Sequence, residues 1–180
     1  MKKTKQVLMI HAVNEALLGL SLEDFILTFD DGLFSQFYYW PEIQKLNTEK
    51  YFFISSGIIS SGQQNLNFPS SSEAHEKARQ GNFEDFMTVE QIKTLMSDPQ
   101  VTIGGHGHAH INLSNVLSLK EKIDIIKDDT EKMFAWFENN LNFKPTTFCF
   151  PYNNSERDVY TAILKSYGVT NFFGQERVAI

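Results

Sequence analysis

Phe25-Ile26-Leu27-Thr28-Phe29-Asp30-Asp31-Gly32 passes within eight residues from a strand-forming run to two adjacent carboxylates and a glycine. Five apolar, β-branched or aromatic residues in succession predict a strand. The carboxylates at its end repel each other and lose solvation, which is costly unless a cation or a proton lies between them. Asp-Gly is also a common turn, so on the dipeptide alone Asp30-Asp31-Gly32 could simply reverse the chain.

Outward from this strand the same alternation recurs. Further strands are expected at Val7–Ile10, Tyr51–Ser55, Val101–Ile103, Thr146–Phe150 and Val169–Phe173. Helices are expected at about Ser35–Leu46, Val89–Met96, Leu119–Asn139 and Glu156–Tyr167. Thr88 and Gln91 form a capping box for the second helix, and Pro99 closes it. In the third, Ile123, Ile126, Thr130, Met133, Phe134 and Phe137 recur every three or four residues, an apolar stripe that belongs to a core. Gln63 to Asn82 is polar, contains Pro69 and a serine run, and reads as a loop with one short helix near Glu73–Gln80. Strands alternating with helices predict a mostly parallel sheet with crossover helices, open or curled into a barrel.

Such sheets carry their sites on loops at the carboxyl ends of strands. There lie His11, Asp30 with Asp31, the cluster His106-Gly107-His108-Ala109-His110, and Cys149-Phe150-Pro151-Tyr152. His106 and His110 are four apart and point the same way if the backbone turns helically. One carboxylate and two imidazoles make a three-ligand site with open positions, suited to Zn2+ or to another first-row divalent ion. On that geometry His108 points away and supports the ligands instead. His75, in the polar segment, is expected to be solvated. Phe34, Phe37, Tyr38, Tyr39 and Trp40 are expected to pack a helix on the sheet rather than to form a stacking platform beside Asp31. Cys149 has no base near it in sequence and is not read as a nucleophile.

Length and ordinary apolar content favour one domain, residues 1–180. A net charge of −6 argues against nucleic acid and anionic membrane as partners. One cysteine excludes an internal disulfide. The basic start is not followed by a signal-peptide core, because His11, Asn14 and Glu15 interrupt the apolar run, and no stretch is long enough for a membrane span; a cytoplasmic location is the expectation.

The TFDDG of Thr28–Gly32, the H-x-x-x-H of His106–His110 followed by Asn112-Leu113-Ser114, and the FPY of Phe150–Tyr152 resemble three ordered motifs of the polysaccharide deacetylases. That group is the NodB homology domain, or carbohydrate esterase family 4. Phe86-Met87-Thr88 and Ile103-Gly104-Gly105-His106 resemble the family's approach to its histidine motif. The resemblance implies a distorted, incomplete (β/α) barrel and metal-dependent removal of acetyl groups from an N-acetylated sugar or polysaccharide. It implies that Asp31, His106 and His110 bind a divalent metal, Zn2+ above Co2+, Ni2+ or Mn2+, and that Asp30 is the general base. It also implies that the backbone N–H of Tyr152 stabilises the oxyanion.

The chain departs from the family pattern in three places. Cys149 stands where many members have the arginine that orients the base, so Asp30 is expected to lack that partner or to be held differently. No histidine follows His110, so the C-terminal Leu-x-His motif that commonly supplies the general acid is absent. Met9-Ile10-His11 resembles the N-terminal element that supplies the acid in the permuted poly-N-acetylglucosamine deacetylases, which makes His11 the candidate acid; otherwise it is a satisfied core histidine. The chain stops soon after Phe173, so the barrel rim is expected to be open or completed by a second subunit in a homo-oligomer. Besides sugar deacetylation, a hydrolase of small cyclic amides or imides on the same fold, or a non-catalytic glycan-binding relative, remain as readings.

Overall fold

A computed structural model describes residues 5–152, 156–174 and 176–179. Seven strands form one sheet: β1 (Gln6–Ile10), β2 (Phe25–Phe29), β3 (Lys50–Ile54), β4 (Val101–Gly105), β5 (Thr147–Cys149), β6 (Asn171–Phe173) and β7 (Val178–Ala179). Their order is β6-β5-β4-β3-β2-β1-β7, and every pairing is parallel. The sheet curls into an incomplete (β/α) barrel, which leaves β6 and β7 as its two edges. All carboxyl ends therefore open on one rim.

Six strands lie where the apolar runs put them. The seventh was not expected. Val178 and Ala179 pair with Leu8 and Met9, so the C-terminal segment returns to the first strand instead of ending after Phe173.

The helices are α1 (Glu15–Leu18), α2 (Phe34–Tyr38), α3 (Trp40–Ile43), α4 (Ser71–Arg79), α5 (Val89–Met96), α6 (Leu119–Leu141) and α7 (Arg157–Ser166). The single helix expected over Ser35–Leu46 is two short ones, divided at Tyr39 just before Pro41, whose ring cannot continue a helix through its own missing N–H. α4 begins with a capping box formed by Ser70 and Glu73 and starts two residues before the expected helix. α5 has the capping box of Thr88 and Gln91.

Between floor and rim the barrel interior is largely apolar. Phe29 and Phe52 stack with ring centroids 4.5 Å apart, among fully buried Leu27, Ile54 and Phe148. α6 closes one side with Ile126, Met133, Phe134 and Phe137, each worth about 1.5–3 kcal/mol on burial. At the floor Lys50 is wholly buried, with Nζ donating to the carbonyls of Leu46 and Thr48 and to Gln100 Oε1. That cation sits at the end of the barrel remote from the rim and reads as structural. Among the described residues no helix is long and apolar enough to cross a membrane.

Candidate active site

At the rim, β2 ends in Asp30 and Asp31, both 2% exposed. Their side chains go to different places. Asp30 faces inward and is gripped by Arg177, whose Nη1 donates to Oδ1 at 2.7 Å and Nη2 to Oδ2 at 2.6 Å. Arg177 also donates to Thr28 Oγ1 and, through Nε, to the Gly174 carbonyl. Two parallel charge-assisted bonds fix a carboxylate in both position and plane. Cys149 completes the surround, with its thiol 3.5 Å from Asp30 Oδ2 and 3.0 Å from Arg177 Nη2. Of the two expectations for Asp30, that it lacks an arginine or is held differently, the structure shows the second, and the first is corrected: the guanidinium is that of Arg177. The small thiol of Cys149 leaves space for a guanidinium that arrives from the segment leading into β7.

Asp31 takes a backbone φ of 75°, followed by Gly32 at 79°, and this left-handed pair turns its side chain away from that of Asp30. Ser71 donates to Oδ2. Around Oδ1 stand three imidazole nitrogens: Nε2 of His75 at 3.2 Å, of His106 at 3.3 Å and of His110 at 3.2 Å. Asp31 Oδ1 and His75 Nε2 are buried without hydrogen-bond geometry to any neighbour. Buried polar atoms left this way cost about 1–3 kcal/mol each. Atoms that converge without bonding one another are what a cation-binding set looks like before the cation is considered.

His106 Nδ1 lies 2.8 Å from the Cys149 carbonyl, which can only accept, so Nδ1 carries a proton and Nε2 is the atom turned to the site. Burial alone would lower its pKa, but Cys149, Asp31 and Asp30 outweigh it and raise the imidazole well above its usual range, so Nε2 must give up a proton to bind a cation. Burial pushes His110 down to about 4, against the pull of Asp31, so its imidazole is neutral at ordinary pH. Burial alone would raise the Asp31 carboxyl; the facing imidazoles of His106, His110 and His75 outweigh it and hold the group well below its usual range. Asp31, His106 and His110 could together hold a divalent ion.

His106 and His110 do not meet through helical geometry, as the spacing suggested. The segment is a tight loop with Gly107 at φ 78° and His110 at φ 48°. Asp129 on α6 holds it, Oδ2 accepting the His108 N–H and Oδ1 the Ala109 N–H, both at 2.8 Å. A Cβ on Gly107 would lie 2.8 Å from Asp129 Oδ2, so only glycine permits that approach. His108 turns away and lies 3.0 Å from Ser56 Oγ through Nδ1.

Tyr152 has φ 57°, and its ring lies 4.7 Å from that of His110. Asp31, His110 and Tyr152 are three of the five non-glycine residues with positive φ among those described. Such conformations cost on the order of 1–3 kcal/mol apiece and persist where surrounding structure imposes them. Their concentration at one rim marks a site shaped for a purpose other than stability.

His11 is half-buried at the end of β1 and lines one cleft with Asp30, Asp31, His75, His106, His110 and Tyr152, of about 600 Å3. Gln36 pins its backbone, donating through Nε2 to the carbonyls of both His11 and Asp30. A second depression of about 570 Å3, bordered by Ile58, Phe83, Ile111 and Asn115, shares His75, His110 and Tyr152 with the first. The two depressions adjoin at these residues. Phe34, Tyr38 and Tyr39 pack around Phe68 rather than facing the carboxylates.

Sequence reasoning missed four participants. His75 was expected in solvent; it is 8% exposed, because α4 docks through Ala74 and Ala78 and carries the ring inward with them. The spacing of Ser71 and His75, one helical turn apart, was the available signal. Gln36 and Asp129 act through backbone groups, which leaves no motif. Arg177 stands beside a two-residue strand, too short for a periodicity.

The chain matches a family model described as polysaccharide deacetylase over residues 22–172. No curated protein matches it. Among solved structures it resembles IcaB from Ammonifex degensii, at 19% identity and a TM-score of 0.67, covering 98% of this chain and 91% of that one. It also resembles a de-N-acetylase from Aggregatibacter actinomycetemcomitans, at 14% identity and a TM-score of 0.65, covering 97% and 95%. A third is BA3943 from Bacillus anthracis, described as a CE4 family pseudoenzyme, at 17% identity and a TM-score of 0.51, covering 96% of this chain and 44% of that one. At these identities the likeness speaks for the fold.

Proposed function

From the premise that this chain belongs to the polysaccharide deacetylase family of amide-bond hydrolases, we propose that it removes acetyl groups from an N-acetylated sugar chain with the aid of a divalent metal. The observation that carries this reading is the division of labour between adjacent carboxylates. Asp30 is locked by Arg177, and Asp31 is ringed by imidazole nitrogens.

Asp31, His106 and His110 are the residues that would hold the ion. Bound there, a divalent ion acidifies water and polarises the amide carbonyl. Asp30 keeps lone pairs free on oxygens that Arg177 has oriented, and takes the proton from the attacking water. The Tyr152 N–H, aimed by its left-handed backbone, donates to the oxyanion, a contact typically worth about 3–4 kcal/mol. His11, in the same cleft, donates a proton to the departing amine. Without that proton the intermediate would collapse back to the amide.

Two adjoining depressions on either side of His110 suit a glycan, a substrate longer than one ring, better than a small cyclic amide. The retained Asp30–Arg177 and Asp31–imidazole sets favour catalysis over glycan binding alone.

The test is acetate release from oligomers of N-acetylglucosamine, β-1,4- and β-1,6-linked, by protein stripped of metal and then restored with Zn2+ or Co2+. Release that appears only on restoration supports the proposal. Release unaffected by stripping, or none from any oligomer with any metal, contradicts it.

A further inference from the structure

We propose that His75, from the crossover between β3 and β4, is a fourth protein ligand to the metal, so that the site is one carboxylate and three imidazoles. This rests on the reading of Asp31, His106 and His110 as metal ligands.

Three observations place His75 among them. Its Nε2 approaches Asp31 Oδ1 at 3.2 Å, the same separation as that of His110 and within 0.1 Å of that of His106. All three nitrogens approach the same oxygen closely enough for the four atoms to share an ion, and with four protein ligands that ion needs five- or six-coordinate geometry to keep a position open for water. His75 Nε2 is buried with no hydrogen-bond partner, as is the Asp31 oxygen it faces. An imidazole nitrogen and a carboxylate oxygen that face each other without bonding leave a desolvation cost that a shared cation would remove.

The ring's approach is also built in. It stacks on His110 with centroids 4.1 Å apart and planes 20° from parallel, and Phe86 meets it edge-on at 5.5 Å. Ala74 and Ala78, on either side of it along α4, are buried against the cluster that contains Phe86 and Leu33. One turn earlier on the same helix Ser71 donates to the other oxygen of Asp31. α4 thus addresses both oxygens of one carboxylate, which a loop carrying a solvated histidine has no reason to do.

A fourth protein ligand should tighten binding and slow loss of the ion to chelators. The test is competition for Zn2+ between a chromogenic chelator and the full chain, as wild type, His75→Ala and His75→Gln. Weaker binding by about tenfold or more in both variants, with apo-protein circular dichroism unchanged, supports the proposal. In parallel, 15N-labelled wild type is titrated with Zn2+, and the His75 Nε2 resonance, identified by its absence from His75→Gln, is followed. Its displacement on saturation together with those of His106 and His110 supports direct ligation and holds even if the variants fold poorly. Wild type that binds Zn2+ with the His75 resonance unmoved, or variants that bind as tightly as wild type, overturn this proposal alone. Wild type that takes up no Zn2+ overturns the metal centre, and this proposal with it.

Discussion

Arg177 and Asp30 stand 147 positions apart in the chain and form a bidentate, buried ion pair, with both groups less than a tenth exposed. The guanidinium that fixes the candidate base comes from the C-terminal segment, inside the barrel, and not from the strand that carries Cys149. Removing one partner of a buried pair strands the other's charge, at a cost of about 3–5 kcal/mol. Arg177→Met is therefore expected to lower unfolding free energy by about that amount in urea denaturation. Arg177→Lys, which keeps the charge but not the fork, is expected to keep much of the stability and lose most of the activity. Equal activity in Arg177→Lys and wild type would show that Asp30 needs only a nearby charge.

The loop that carries His106 and His110 depends on Asp129. Both its oxygens accept backbone N–H groups, and burial pushes its carboxyl up, against the two bonds that favour the ionised form. In Asp129→Asn one of the two N–H groups would meet an NH2 donor. A loss of about 1–3 kcal/mol is expected, measured by chemical denaturation, together with weaker Zn2+ binding. Unchanged metal affinity in a destabilised protein would mean that the loop holds its shape without this anchor.

Gly107→Ala tests the same loop from the other side. Its φ of 78° and the 2.8 Å approach of Asp129 both exclude a Cβ. A loss of at least about 1–2 kcal/mol is expected from the conformation alone, in thermal melts, with more from the clash.

His11→Ala is expected to bind Zn2+ as wild type does, since His11 makes no contact with the Asp31 set among those described, and to lose on the order of 10²-fold in kcat. An amine leaving group that is already activated should partly restore the rate. A variant with wild-type kcat on an ordinary N-acetyl sugar would remove His11 from the reaction.

Much of the fold was legible because buried parallel strands are apolar runs, and six of the seven here are long enough to stand out between helical segments. Asp30, Asp31, His106 and His110 were legible for a related reason: polar residues placed directly at the ends of such runs are conspicuous. What escaped was whatever depended on distant partners. Arg177 reaches Asp30 through the barrel interior, and nothing around it in sequence marks that path. His75 lies in a polar stretch whose burial is decided by Ala74 and Ala78 against Phe86, a contact between segments. The H-x-x-x-H spacing suggested a helix, but Gly107 and the left-handed His110 bring the two rings together through a loop. The departure at Cys149 was visible, whereas its compensation required the topology of β7.

The most direct test of the account compares acetate release by wild type and Asp30→Asn, both loaded with one equivalent of Zn2+ and checked for equal metal content. The account assigns the proton transfer to Asp30 and the metal to Asp31 with the histidines, so it predicts intact metal binding and a loss of at least about 10²-fold in kcat. An Asp30→Asn protein that holds its metal and releases acetate at the wild-type rate would contradict it.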